Sequence, residues 1–148
     1  MSIFELKIPA DPKYVMVARM TASAVAGRVG FDLGTIDDIK QAVGEACNNA
    51  IRHGCGTCGN DCTEILLHIS IQEDALEITV HDRGEGFTPL DSYKEIDISD
   101  YNDLPESGMG LMIIQSLMDE VVISSSATEG TSVCMKKMLI TTTISGTE

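Results

Sequence analysis

Apolar residues along this chain recur with two different periods. Between Lys13 and Val29 they fall at Val15, Ala18, Ala22, Val25, Ala26 and Val29, the three-and-four spacing of a helix with one buried stripe. A second stripe of the same kind runs through Ile36, Ile39, Val43, Cys47 and Ala50. Gly30 and Gly34 separate the two helices, Thr35 standing three residues before Asp38 predicts a capping box, and Gly54 predicts the second helix's end. Elsewhere the period is two. Ile65, Leu67, Ile69 and Ile71 alternate with Leu66, His68, Ser70 and Gln72, and Leu76, Ile78 and Val80 alternate with polar residues. Glu73 and Asp74 make a short turn between these runs, which predicts an antiparallel hairpin.

The remaining elements follow the same logic. A strand over 3–8 is stopped by Pro9 and Pro12. Leu111 to Met118 predicts a third helix, and Val121 to Ser125 and Thr131 to Ile140 predict two more strands. Residues 88–107 break both periods: they hold two of the four prolines and a scatter of acidic, Ser and Asn residues. A segment of this length without periodicity predicts a mobile lid over a site. The tail 141–148 predicts a frayed end. With no internal repeat and no linker, residues 1–148 are expected to form one α+β domain.

Composition narrows the function. Aromatic residues are only 4% and Trp is absent, so the core must rest on Val, Ile, Leu, Met and Ala. The formal charge of -13 argues against general nucleic-acid binding, which requires a cationic surface. An acidic protein still binds nucleoside triphosphates when Mg²⁺ and backbone N–H groups carry the phosphate contacts. No apolar run approaches the ~20 residues of a membrane span, and the N-terminus lacks a signal-peptide pattern. The expected location is the cytoplasm, without membrane contact, where cysteines are reduced thiols or metal ligands.

Three short segments carry candidate chemistry. The first is Glu45-Ala46-Cys47-Asn48-Asn49-Ala50. Glu45 and Asn49 differ by about 40° around a helix axis and Arg52 by about 20° the other way, so they share a stripe away from the apolar one. A carboxylate suits proton removal from an attacking hydroxyl, and an amide oxygen suits Mg²⁺. The plain alternative is a solvated polar face. The second is His81-Asp82-Arg83-Gly84-Glu85-Gly86-Phe87. Asp82 has the parity of Leu76, Ile78 and Val80, so it points to the buried side and needs a donor there. The amino group of adenine is such a donor, and Gly84 and Gly86 let backbone approach a flat ring. The alternative is an ordinary Asp-Gly turn. The third is Ser107-Gly108-Met109-Gly110-Leu111, a glycine loop running into a helix. The N–H groups of Gly108, Met109, Gly110 and Leu111 form a candidate phosphate cradle, with Thr131 as a further hydroxyl. A lone Gly-x-Gly is equally a turn, and neither a Walker A sequence nor the eukaryotic kinase motif set is present.

In this order and spacing the three segments resemble the N, G1 and G2 boxes of the GHKL (Bergerat-fold) ATPase superfamily, over roughly residues 3–140. The small size and the run Gly108 to Val121 resemble the bacterial anti-sigma factors of the serine/threonine kinase type. The resemblance implies a two-layer α/β sandwich: a mixed, mostly antiparallel sheet of four or five strands covered on one face by about three helices. It implies a homodimer that sequesters a sigma factor and phosphorylates a small anti-anti-sigma protein of the STAS fold, using ATP and Mg²⁺. It gives Glu45 as general base, Asn49 as magnesium ligand and Asp82 as the adenine-reading acid. Gly84 and Gly86 then flank the base, Gly108 and Gly110 belong to the phosphate loop, and residues 88–107 form the ATP lid. His53 also falls where such proteins carry a histidine. One position departs: Glu106 stands where some relatives place an arginine before the Ser-Gly-x-Gly. Two other readings stay open, a nucleotide-sensing module with little or no turnover and a stand-alone histidine-kinase-like ATPase domain.

Cys55, Cys58 and Cys62, with His53 just upstream, lie at metal-binding spacing, suited to zinc or an iron–sulfur cluster. Reduced thiols on a loop are the plainer alternative, and a small metalloprotein is the corresponding reading of function. Cys47 and Cys134 sit on apolar patterns and are expected in the core.

Overall fold

In the computed structural model, residues 1–55, 64–82, 94–95, 108–126 and 130–140 are described. The chain opens with β1 (Ser2–Pro9), crosses a single 3₁₀ turn at Pro12–Tyr14, and continues into α1 (Val15–Val29) and α2 (Leu33–Asn49). A π-helical turn, Ala50–Cys55, extends α2. Then follow β2 (Glu64–Ile71), β3 (Ala75–Asp82), the two-residue β4 (Lys94–Glu95), α3 (Gly108–Leu117), β5 (Glu120–Ser126) and β6 (Gly130–Met138).

The strands form one sheet in the order β1-β2-β3-β6-β5-β4, and every described pair is antiparallel. The sixth strand is β4, which the sequence pattern does not signal. The helices lie on one face: α1 packs on β1 and β2, α2 on β3, and α3 on β5. The two-layer α+β expectation holds.

Strand alternation decides which face is covered. Ile65, Leu67, Ile69, Leu76, Ile78, Val80, Ile123 and Met135 point to the helices and are almost completely buried. Fully burying such a side chain stabilises by about 1.5–3 kcal/mol. Against them α1 presents mainly small residues, Ala18, Ala22 and Ala26, while α2 contributes Ile39, Val43, Ala46 and Cys47. Small residues let α1 and α2 run close together. Gly27 meets Ile36 Cδ1, and Gly44 lies against the Arg19 side chain. Gly30, at φ 112°, terminates α1 in the left-handed conformation that glycine adopts without strain.

Three local expectations are revised. The cap of α2 is not Thr35 with Asp38. Asp32 occupies the N-cap, and its Oδ1 accepts from Thr35 N at 2.7 Å. The regular part of α2 stops at Asn49, before Gly54, because the backbone widens into the π turn. Gly108, Met109 and Gly110 form the first turn of α3 rather than a loop ahead of it. Cys134 also departs from expectation: it is half-buried, on the sheet face away from the helices, beside Thr79.

Candidate nucleotide site

The first and third segments meet. The last turn of α2 carries Glu45 and Asn49, and the first turn of α3 carries Gly110. A Cβ at Gly110 would stand 3.0 Å from Asn49 Nδ2, 3.3 Å from Asn49 Oδ1 and 3.2 Å from Glu45 Oε1. A side chain there would push on both groups, so glycine lets the N-terminus of α3 lie directly over the amide and the carboxylate. Met109, one residue earlier, is exposed, and Leu111, one residue later, is buried in the core. Leu111 thereby anchors the helix start from below.

Asn49 is not on a solvated face. It is 7% exposed, and its Nδ2 is buried with no hydrogen-bond partner. A buried amide left unpaired costs about 1–3 kcal/mol, a cost that persists in folded proteins where a ligand removes it. Glu45 is half-buried beside it, and Arg52, at the end of the stripe, is exposed.

The second segment arrives from the sheet. Asp82 ends β3 on the helix-facing side, as parity predicts, and is 3% exposed. It lies in register with Thr131 at the start of β6, and Thr131 in turn with Ser125 on β5. All three are buried, and the Ser125 and Thr131 hydroxyls are 3.3 Å apart. Ser125 is a member of this polar row that the sequence reading overlooked; its parity with Ile123 was the available signal. The turn Ala50–Cys55, continuous with Asn49, packs on both β3 and β6. The amide–carboxylate pair and the Asp82 row thus belong to the same end of the molecule, where α2, β3 and β5 finish and where α3 and β6 begin.

A buried acid, an unpartnered amide, a carboxylate and a helix N-terminus thus gather at one end of a helix-backed antiparallel sheet. The model of the histidine kinase-like ATPase domain matches residues 8–137. The chain belongs to this family. It is 39% identical over 143 residues to the serine-protein kinase RsbW of Bacillus pumilus, spanning 93% of this chain and 86% of that one. It is 38% identical over 141 residues to the serine-protein kinase RsbW of Bacillus subtilis, spanning 91% and 84%. Within the family it therefore stands among the serine-protein kinases of the RsbW type, in agreement with the resemblance of its three segments. The fold is shared with the crystal structure of the RsbU and RsbW domains of a Mycobacterium tuberculosis protein, at a TM-score of 0.65 and 18% identity, over 93% of this chain and 32% of that one. A mycobacterial sensor histidine kinase, MprB, superposes with a TM-score of 0.52 at 15% identity, over 91% of this chain and 97% of that one.

Several candidate positions lie outside the described residues: Gly84 and Gly86, the lid 88–107 apart from the strand Lys94–Glu95, Glu106 within it, and the metal-spaced Cys58 and Cys62. The side chains of His53 and Cys55 are likewise not described. Among the described residues, no group of three or more His, Cys, Asp or Glu side chains forms a metal cluster. No described helix is long and apolar enough to cross a membrane.

The two cysteines whose side chains are described, Cys47 and Cys134, are both desolvated. Burial pushes the Cys47 thiol up to about 12, and desolvation also raises that of Cys134. A thiol held protonated is a poor nucleophile and a poor metal ligand. One further polar group lies between α1 and α2: Arg19 Nε is buried without a partner beside Gly44, the residue preceding Glu45.

Proposed function

We propose that this chain transfers the terminal phosphoryl group of ATP to a serine or threonine of a small STAS-fold antagonist, and that it sequesters a sigma factor, acting as a cytoplasmic homodimer. The observation that carries the reading is the contact of Gly110 with Glu45 and Asn49, which joins a candidate base, a candidate metal ligand and a helix N-terminus.

In this reading Asp82 accepts a hydrogen bond from the adenine amino group, with Gly84 and Gly86 beside the ring. Its burial excludes competing water and makes that one bond worth more than an exposed one. Thr131 adds a hydroxyl next to it. The backbone N–H groups of Gly108, Met109, Gly110 and Leu111 face the phosphates, the usual ligands of a helix start. Asn49 Oδ1 would hold Mg²⁺, a hard cation that takes oxygen ligands, while the unpartnered atom is Nδ2, a donor suited to a phosphate oxygen rather than to the ion. When bound, Mg²⁺ neutralises charge developing on the phosphate oxygens. Glu45 takes the proton of the acceptor hydroxyl as its oxygen bonds to the γ-phosphorus and the bond to the β-phosphate oxygen breaks, releasing ADP. Residues 88–107 act as the lid.

A second reading, a nucleotide-sensing module with little turnover, is favoured by one position. Glu106 places a negative charge where some relatives carry a positive one near the terminal phosphate. One assay separates the two. Purified protein is incubated with labelled ATP, Mg²⁺ and STAS-domain proteins from the same genome, with Glu45→Ala as control. Label appearing on a STAS serine or threonine, and lost in the variant, supports the kinase. ATP binding without any transfer supports the sensor.

A further inference from the structure

His81 heads the second segment, and the proposed reaction gives it no part. Strand alternation sends it to the sheet face away from the helices, directly behind the polar row. There its Nδ1 lies 2.6 Å from the hydroxyl oxygen of Ser132 on β6, and the pair is partly buried. The bond forms with either tautomer of the imidazole, because a serine hydroxyl both donates and accepts. His81 and Ser132 are register partners, as are Asp82 and Thr131 one step further along the same two strands. The β3–β6 ladder thus finishes in two consecutive polar pairs on opposite faces. One pair lies in the candidate site and the other lies behind it.

Position in the ladder gives this second pair its consequence. Asp82 and Thr131 form the terminal rung between β3 and β6, and Asp82 also closes the β2–β3 ladder, opposite Ile65. Terminal rungs open most readily, because they are held from one side only. A carboxylate that reads a single amino group must nevertheless be held to within about 0.5 Å. A side-chain bond across the penultimate rung fixes both the separation and the register of the two strands just before the rung that carries the site. We infer that His81 and Ser132 are positioning residues, whose bond on the far face of the sheet holds Asp82 and Thr131 at the spacing that recognises adenine. This rests on the adenine-reading role of Asp82 in the proposed function. The sheet itself separates the pair from the nucleotide, so His81 and Ser132 act only through the backbone they share with Asp82 and Thr131.

A base-selectivity cycle tests this. Affinities for magnesium-ATP and magnesium-GTP are measured by displacement of a fluorescent nucleotide from the full chain, His81→Ala, Ser132→Ala, the double variant and His81→Asn. GTP carries a carbonyl oxygen where ATP carries the amino group, so it reports phosphate binding without the contact to Asp82. Each alanine variant should bind ATP about fivefold more weakly, the usual worth of one side-chain hydrogen bond, and GTP with unchanged affinity. The preference for ATP then falls by the same factor. The double variant should lose no more than either single one, because both remove the same bond. His81→Asn, whose amide reaches the place of Nδ1 and can donate or accept, should restore the preference. Equal losses for both nucleotides would show a pair that only stabilises the sheet, and would overturn the inference. An unchanged preference, additive losses in the double variant, or no recovery in His81→Asn also overturn it. If His81→Ala does not fold, Ser132→Ala and His81→Asn decide the matter alone. Asp82→Asn, measured in parallel, keeps the two readings apart: if it leaves ATP affinity intact, the adenine assignment itself fails. If it weakens ATP binding while the His81 and Ser132 variants do not, only the positioning role fails.

Discussion

Gly110 lies against Asn49 so closely that a methyl group on Gly110 would come within 3.0 Å of the Asn49 amide nitrogen. The contact joins residues 61 positions apart and couples the start of α3 to the end of α2. Adding that methyl moves the ends of two flexible side chains, Asn49 and Glu45, and no backbone. Gly110→Ala should therefore fold with little change in melting temperature, helped by the better helix propensity of alanine. Its affinity for magnesium-ATP should fall by about tenfold or more, because the displaced groups are those proposed to meet the ion and phosphate; tenfold is about 1.4 kcal/mol. Calorimetric titration beside a thermal melt checks both. Unchanged affinity would mean that the α2–α3 contact is packing alone.

Glu45 and Asp82 have roles that separate in kinetics. Glu45→Ala should retain nucleotide affinity and lose phosphotransfer by about 10²–10⁴-fold, the usual worth of a positioned base. Asp82→Asn keeps the shape of the buried side chain but removes its charge, and should weaken nucleotide binding by about 10–100-fold. The decisive pattern is the crossing of the two effects, measured as affinity and single-turnover rate on both variants. A Glu45 variant with normal transfer removes the base assignment.

The helices and strands were legible because each buries one face and so writes its period into the sequence. The parity argument that put Asp82 inward succeeded for the same reason: Leu76, Ile78 and Val80 fix the face, and Asp82 is 3% exposed on it. The start of α2 was misread because Thr35 and Asp38 imitate a capping box, while Asp32, two residues after Gly30, takes the position with a 2.7 Å bond to Thr35 N. The π turn at Ala50–Cys55 had no local signal, since it is held by packing on β3 and β6. The helical wheel put Asn49 on a polar stripe away from the apolar one, open either to water or to a ligand. Its burial comes from α3, about 60 residues later, and no local pattern reports a cover supplied from that distance. The placement of Cys134 failed for a related reason. Alternation between Val133 and Met135 fixes those two on the helix side, which sends Cys134 to the opposite face.

Cys47 provides a probe of the core above the site. Its thiol is fully buried between α2 and the sheet and is pushed up to about 12 by desolvation. In the unfolded chain the same thiol ionises near pH 9. Between these values the unfolded state binds fewer protons than the folded one, so stability falls as pH rises, by up to about 1.4 kcal/mol per pH unit. Cys47→Ala removes this dependence. Denaturant unfolding from pH 8 to pH 10 should show the wild-type curve falling more steeply than that of the variant. The native thiol should also react far more slowly with a thiol reagent than it does after unfolding. Equal slopes would place Cys47 in contact with water.

Asp32 reports the opposite end of α2 through the opposite sign. Hydrogen bonds from the Thr35 backbone N–H and then the Thr35 side chain hold its carboxyl below the usual carboxylate value, with Lys137 adding a small attraction. A depressed folded-state value means that the cap's ionic contribution is present above the ordinary carboxylate range. It is lost as pH falls through the lower, folded-state value. Asparagine caps a helix nearly as well but does not titrate. Wild type should therefore melt at or above Asp32→Asn at pH 7, where the charge also favours the helix N-terminus. That margin should shrink, or reverse, as pH falls below about 3.9. Paired thermal melts from pH 7 to pH 3 measure it. A margin that stays constant with pH would show that Asp32 caps α2 by geometry alone, with no contribution from its charge.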